Sequence, residues 1–218
     1  VMVLYGANTH TKQTIDIPLK EHLLRHKQEK GQRQSGWLLV RTGVEFPHVA
    51  TTYDPYLVGL WIGDGTLAAP AFNFNCANKQ VLVDYVVNIA SSLQQETSFR
   101  QDSRSKGNRI GLITRGVKHN PFGSYVKSFL QKGGEKFIPK EYLVNSRLNR
   151  LKLLAGLLDT DGYWSTKSRS NEFSTKSTAL RDQVLFLCRS LGFSANAGLK
   201  VVNGKDYEVD IPDAEPPE

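Results

Sequence analysis

Two short apolar segments of this sequence end in the same acidic turn. Tyr56-Leu57-Val58-Gly59-Leu60-Trp61-Ile62-Gly63-Asp64-Gly65 is echoed by Leu153-Leu154-Ala155-Gly156-Leu157-Leu158-Asp159-Thr160-Asp161-Gly162. On helices, Asp64 and Asp161 fall at C-termini, where the macrodipole is negative and a carboxylate costs up to ~1 kcal/mol. Brought side by side, two such carboxylates also repel each other. A divalent cation relieves both costs, and hard oxygen ligands suit Mg²⁺. In a basic protein this sets a metal opposite phosphate, the chemistry of metal-assisted phosphodiester hydrolysis. An Asp-Gly pair by itself is an ordinary turn; its repetition on matching apolar helices, with matching flanks, carries the metal reading.

The charge balance agrees. Among 218 residues, 28 are Lys or Arg and 21 are Asp or Glu, a formal charge of +7. From Asp206 onward there are acids and no basic residue, so the body before that point is more basic still. A surface of that kind fits a polyanion, nucleic acid first. No apolar run approaches the ~20 residues that span a bilayer, and no basic-then-apolar leader opens the chain, so no membrane partner is expected. Two cysteines, Cys76 and Cys188, are too few for a disulfide framework. Of the histidines only His22 and His26 share a helix face, where a solvated basic helix is a plainer reading than a metal pair. These counts point to a reducing compartment without structural zinc.

The elements that must position the two aspartates follow from the pattern between them. Gly59 and Gly63 share one helix face, and Ala155 and Gly156 put small residues near the matching face of the second segment. Glycine inside a helix costs about 0.5–1 kcal/mol relative to alanine, a cost that close backbone approach to a neighbouring helix explains. The sequence therefore predicts two motif helices packed side by side across a pseudo-twofold axis. After the first come a strand at 71–75, a helix near 79–93, strands near 98–104 and 109–114, and a helix opened by Pro121 and stopped by Gly133-Gly134. After the second come a strand pair at 163–166 and 172–175 and a helix capped by Ser177 or Thr178, with Gly192 at its end. A hairpin at 194–202 and 207–211 then turns at Asn203-Gly204. The fold class is α+β, two αββαββ(α) halves with antiparallel sheets. Residues 1–50 stand apart, with a short basic helix at 19–30 and a strand at 37–41. The domains read as 1–50, a first repeat at 51–150, a second at 151–211 and an acidic tail at 212–218.

With these flanks the two segments resemble the paired motifs of the LAGLIDADG homing endonucleases. Leu154–Gly162 matches the nine-letter name except at Leu158 and Thr160, while Leu57–Gly65 carries Trp61-Ile62-Gly63 in place of Ile-Asp-Ala. The wording of the first copy is similar to that of endonucleases embedded in inteins, fungal ones especially, with a vacuolar ATPase subunit or the large spliceosomal splicing factor as candidate hosts. The resemblance implies saddle-shaped sheets lying in the major groove of double-stranded DNA and motif helices at the interface between halves. It implies a monomer that cuts both strands of a long asymmetric site with Mg²⁺, or Mn²⁺ as a substitute. It assigns Asp64 and Asp161 to catalysis and, with Gly63 and Thr160, to the metal. Lys136, in Lys136-Phe137-Ile138-Pro139, matches the basic residue of the family's Lys-x-Ile-Pro segment. Asn75, Thr175 and Ser177 fall at the periphery of the site.

DNA contacts are expected from the sheets and their hairpins: Arg100, Arg104, Lys106, Arg109, Arg115 and Lys118 in the first half, and Lys167, Arg169 and Lys176 in the second. The resemblance also implies a domain covalently embedded in a host precursor, inside the cell and in the nucleus when it acts. Inteins begin with Cys or Ser and end in His-Asn; Val1 and Glu218 stand at those places here, so this stretch is not expected to splice by itself. Residues 1–50 then read as the remnant of a splicing domain, a DNA-recognition arm, or both. The second half lacks a final helix and a lysine to pair with Lys136. That departure leaves two alternatives beside the endonuclease: a catalytically degenerate nucleic-acid-binding module (a maturase or regulator), or a structural insert of a splicing intein.

Overall fold

The computed structural model describes residues 3–8, 14–18, 20, 21, 24, 37–39, 42–67, 69–74, 79–101, 108–116, 120–131, 134–200 and 206–212. The chain forms two compact units, Val1–Thr42 and Gly43–Glu218. The first holds an antiparallel sheet of β1 (Val3–Asn8), β2 (Thr14–Pro18) and β3 (Trp37–Leu39), in the order β2-β1-β3. Strands β1 and β2, which pair from Val3↔Pro18 to Ala7↔Thr14, were not anticipated from sequence. The basic helix expected at 19–30 falls largely outside the described residues.

The second unit begins earlier than the sequence boundary at residue 50, for a physical reason. Arg150, fully buried, donates from Nη1 to Ser190 Oγ (2.7 Å), from Nε to Asn145 O (2.8 Å) and from Nη2 to Val44 O. Asn145, also fully buried, donates to Val49 O at 2.9 Å and accepts from Val49 N at 3.1 Å. These bonds satisfy the buried guanidinium and amide and fasten residues 43–50 to the body.

At its centre lie the two motif helices. Helix α1 (Pro55–Asp64) starts at Asp54, whose carboxylate accepts from Tyr56 N at 2.9 Å, with Pro55 in the first turn. The remainder of the first half is β4 (Ala71–Phe74), α2 (Gln80–Ser92), β5 (Glu96–Gln101), β6 (Asn108–Ile113), α3 (Pro121–Lys127) and the short α4 (Lys140–Leu143). Helix α5 (Arg147–Asp161) is the second motif helix. It leads into β7 (Gly162–Ser165), β8 (Ser170–Ser174), α6 (Thr178–Ser190), β9 (Asn196–Lys200) and β10 (Asp206–Pro212). The sheets are antiparallel, ordered β4-β6-β5 and β7-β8-β10-β9. Leu57, Val58, Leu60 and Trp61 of α1 share the core with Leu153, Leu154 and Leu157 of α5. Helix α1 is covered on nearly every side and has no polar face, whereas α5 keeps Leu148, Lys152, Ala155 and Asp159 exposed along one face.

Two differences from the expected order have local causes. The strand after α1 is reduced to one bridge, Gly65↔Phe72. Pro70 has no N–H to give a ladder, and a turn closes instead, with Thr66 donating from Oγ1 to Ala69 O (2.8 Å) and from N to Ala71 O (2.8 Å). Helix α3 stops at Lys127, short of Gly133-Gly134. Phe129 donates to Val126 O, Gly134 (φ +83°) donates to Gln131 O, and Leu130 bridges Lys136. Those residues form a tight hairpin, and the hairpin aims Lys136.

Candidate functional site

The site is built at the C-terminal ends of α1 and α5, and small residues let those ends meet. A Cβ placed on Gly59 would lie 3.0 Å from Gly156 Cα, and one on Gly156 would lie 2.8 Å from Leu60 N. One turn on, a Cβ on Gly63 would lie 2.6 Å from Thr160 Cβ and 3.3 Å from Asp161 Oδ2. Polar ties flank this seam: Tyr56 Oη donates to Asp159 Oδ2 at 2.6 Å, and Lys152 Nζ to Asp54 Oδ2 at 2.7 Å.

The glycines that follow the aspartates are set by close packing against their helices. Gly65 (φ −71°, ψ 148°) and Gly162 (φ −83°, ψ 152°) are extended, not left-handed. Each is required because the chain folds back against its helix, so that a Cβ on Gly65 would sit 2.6 Å from Trp61 Cγ and one on Gly162 2.7 Å from Leu158 Cα. The left-handed helix end is the one expected at Gly192, with φ +92°.

Asp64 and Asp161 thus come together from the two halves. Burial pushes the Asp161 carboxyl above the usual range and the charge of Asp64 pushes it further, against the pull of Lys136 and Lys79. Two ammonium groups answer this negative end. Lys136 Nζ donates to Trp61 O (2.9 Å), Gly63 O (3.0 Å) and Gly65 O (2.7 Å), and stands 4.9 Å from the centroid of the Trp61 ring. Its three protons therefore bind carbonyls at the end of α1, one of which, Trp61 O, also accepts from Gly65 N at 2.9 Å. Lys79 Nζ donates to Asp64 Oδ2 at 2.9 Å and to Thr160 O at 3.0 Å, joining a carboxylate of one motif helix to a carbonyl of the other.

Lys79 was not singled out from sequence, although it carried a signal. It occupies the N-cap of α2 without a side-chain capping bond, where Ser, Thr, Asp or Asn is preferred and a cation meets the positive end of the macrodipole.

Burial lowers the Lys136 ammonium to about 8, opposed by the charges of Asp161 and then Asp64. The folded chain gives up this proton near 8 and the unfolded chain near 10.5. Inside that window the unfolded state binds more protons, so rising pH favours the folded one. The stability of the wild type relative to Lys136→Met should therefore rise across the window. Urea melts of both proteins at several pH values measure it, and a flat difference would contradict the buried placement of this ammonium.

The remaining expected residues are dispersed. Asn75, Arg104, Lys106 and Lys118 lie outside the described residues. Ser177 is the N-cap of α6, accepting from Leu180 N and donating to Glu135 Oε2 at 2.9 Å, while Thr175 Oγ1 accepts from Ser177 N at 3.2 Å. Both hydroxyls serve the start of that helix. Arg100 and Arg109 stand directly opposite each other on β5 and β6. Arg115, expected in their cluster, lies in the turn beyond the other end of β6 and pairs with Glu96 at 2.8 Å. In the second half Lys167 and Arg169 lie on the β7–β8 turn, and Lys176 lies at the far end of β8, beside the cap of α6.

Among the described residues no three His, Cys, Asp or Glu side chains gather as a metal cage. The donor set is instead open: two carboxylates plus the backbone carbonyls of Gly63 and Thr160. It already accommodates a cation, since the Lys79 ammonium stands between Asp64 and Thr160 O. Such a set fits Mg²⁺, which takes one or two carboxylates and completes its shell with water and phosphate oxygens.

A duplicated α+β domain with paired Asp-Gly motif helices at its centre has the LAGLIDADG fold. The LAGLIDADG DNA endonuclease family model matches residues 56–214, and the chain belongs to that family. It is 30% identical over 168 residues to the replicative DNA helicase DnaB of Mycobacterium intracellulare, a match over 77% of the chain and 24% of that protein. It is 26% identical over 166 residues to the homothallic switching endonuclease of Saccharomyces cerevisiae, covering 64% of the chain and 27% of that protein. The chain thus spans about a quarter of the length of these curated relatives. Among solved structures, I-DmoI in complex with DNA and Mn superposes with a TM-score of 0.51 at 15% identity, over 72% of this chain and 88% of that one. That likeness is one of fold.

Proposed function

We propose that this chain is a site-specific DNA endonuclease that hydrolyses both strands of a long asymmetric target as a monomer. The observation that carries the reading is the convergence of Asp64 and Asp161 from two halves of one chain, at helix ends where neither is favourable without a cation. Asp64, Asp161 and the carbonyls of Gly63 and Thr160 are the groups that would hold Mg²⁺, or Mn²⁺ in its place. When bound, the metal supplies Lewis acidity toward the phosphodiester and a water of lowered pKa. Lys136 keeps the end of α1, and with it Asp64 and Gly63 O, in place. The complex of I-DmoI with DNA and Mn supports the metal and the partner by analogy of fold.

A family segment matching a quarter of a helicase supports a domain embedded in a host protein precursor, with homing into the host gene as its role. The test is a cleavage assay on plasmids carrying uninterrupted host-gene insertion sites, with Mg²⁺ and with EDTA. Linearisation at one position, lost in EDTA, is the expected result. A retarded complex that is never cut would overturn the catalytic reading and favour the binding module.

Directly opposed like charges destabilise a sheet, and the Arg100↔Arg109 pair is answered if both arginines bind phosphate. Replacing both with alanine should weaken DNA binding and reduce the slope of log affinity against log salt by about 2. An unchanged slope would place this face away from the DNA.

A further inference from the structure

We propose that Lys79 is a resident counter-ion of the metal-binding oxygens, holding Asp64 and the Thr160 carbonyl together until a divalent cation takes its place. The proposal rests on the reading of those oxygens as metal ligands. Its geometry is specific. One ammonium bonds a carboxylate of α1 at 2.9 Å and a backbone carbonyl of α5 at 3.0 Å, two oxygens that belong to different halves of the molecule. The side chain is largely covered, with 18% of it exposed, so this is an enclosed ion pair and not a surface contact.

The alternative source of positive charge is already committed. Lys136 donates to the carbonyls of Trp61, Gly63 and Gly65, so it bonds one candidate metal oxygen, Gly63 O, and has no proton left for Asp64. In the metal-free protein, Lys79 therefore supplies the bonded cation at Asp64 and opposes the repulsion between the two aspartates. Its backbone position is a poor one for lysine, since the N-cap of α2 lacks a side-chain acceptor. A role for the ammonium at the far end of the side chain explains the exception. A flexible four-carbon stem can also leave the oxygens without disturbing the helices, which a rigid guanidinium fork would do less readily.

The test is Mn²⁺ binding to the DNA-free chain, with unbound Mn²⁺ read from its paramagnetic resonance signal, for wild type, Lys79→Met, Lys79→Arg and Asp64→Asn. Loss of charge-assisted bonds that compete with the metal should make Lys79→Met bind Mn²⁺ at least about tenfold more tightly. Lys79→Arg should bind Mn²⁺ no more tightly than wild type, and Asp64→Asn should lose the site. A merely structural lysine would give unchanged or weaker Mn²⁺ binding in Lys79→Met while Asp64→Asn still abolishes it; that result overturns the proposal and leaves the metal reading intact. Mn²⁺ binding indifferent to Asp64→Asn would overturn both. Thermal melts of Lys79→Gln supply the same decision if Lys79→Met is poorly folded. The variant should melt lower than wild type in EDTA and be raised more by Mn²⁺, and equal Mn²⁺ shifts would refute the displacement.

Discussion

Asp161→Asn is expected to abolish double-strand cleavage and, in the same protein, to raise the melting temperature measured in EDTA. The loss of cleavage follows from the donor set. If the two carboxylates and two carbonyls hold the cation as proposed, a neutral amide removes one of the charged ligands, and at least about a 1,000-fold fall in rate is expected. The gain in stability follows from the electrostatics. Asp161 is raised by burial and by Asp64, so the folded state disfavours its charge. Its ionisation therefore subtracts stability as pH rises from the unfolded value through the folded one. An amide of the same shape does not ionise and so escapes this loss, each 1 kcal/mol recovered being read as roughly 2–4 °C in a chain of this size. Asp64→Asn should differ, because Asp64 has the Lys79 ammonium at 2.9 Å and its loss strands that cation. Both variants should still bind DNA. A cleavage time course and a melting curve on each decide the matter; an Asp161→Asn protein that cuts normally, or melts lower than wild type, contradicts the assignment.

What the sequence made legible was periodic or capped. The motif helices stood out through unbroken apolar runs ending in Asp-Gly, α6 through Ser177 and Gly192, and the last hairpin through Asn203-Gly204. The parts that escaped depend on groups distant in sequence. Lys79 meets Thr160 across 81 positions, and nothing local to Lys79 names that partner, although its poor fit as an N-cap marked it as odd. Lys136 was found by its motif, yet its bonds to the end of α1 depend on a hairpin that replaces the last turns of α3, set by tertiary contacts of Phe129 and Leu130. Arg115 was grouped with Arg100 by charge alone. Strand pairing puts them at opposite ends of the sheet and gives Arg115 a partner in Glu96.

Gly156→Ala should destabilise the chain, and it sets two well-measured effects against each other. Helix propensity alone predicts a gain of up to about 1 kcal/mol, since alanine is the better helix former. The contact predicts the opposite. The added methyl would meet Leu60 N at 2.8 Å and Gly59 Cα at 3.0 Å, with Tyr56 O closer still. All three are backbone atoms of the partner helix, so no rotamer change relieves the overlap; the helices must separate. Overpacking costs about 1–3 kcal/mol, occasionally more, and rigid backbone on every contacted side puts this site at the upper end, so the contact wins with an expected net loss of about 2 kcal/mol. That is a large share of the ~5–15 kcal/mol that holds a domain together. Separation also reaches the chemistry, because the seam that joins Gly59 to Gly156 is the one that brings Asp64 to Asp161 one turn further on. Residual folded Gly156→Ala should therefore cleave more slowly per folded molecule than wild type, a distinction that cleavage rates normalised to folded fraction make directly. Gly198→Ala is the control: a Cβ there meets nothing within 4 Å, and its stability should stay within about 0.5 kcal/mol of wild type. If Gly156→Ala proved as stable as that control, helix propensity would have prevailed and the side-by-side packing of the motif helices would be wrong.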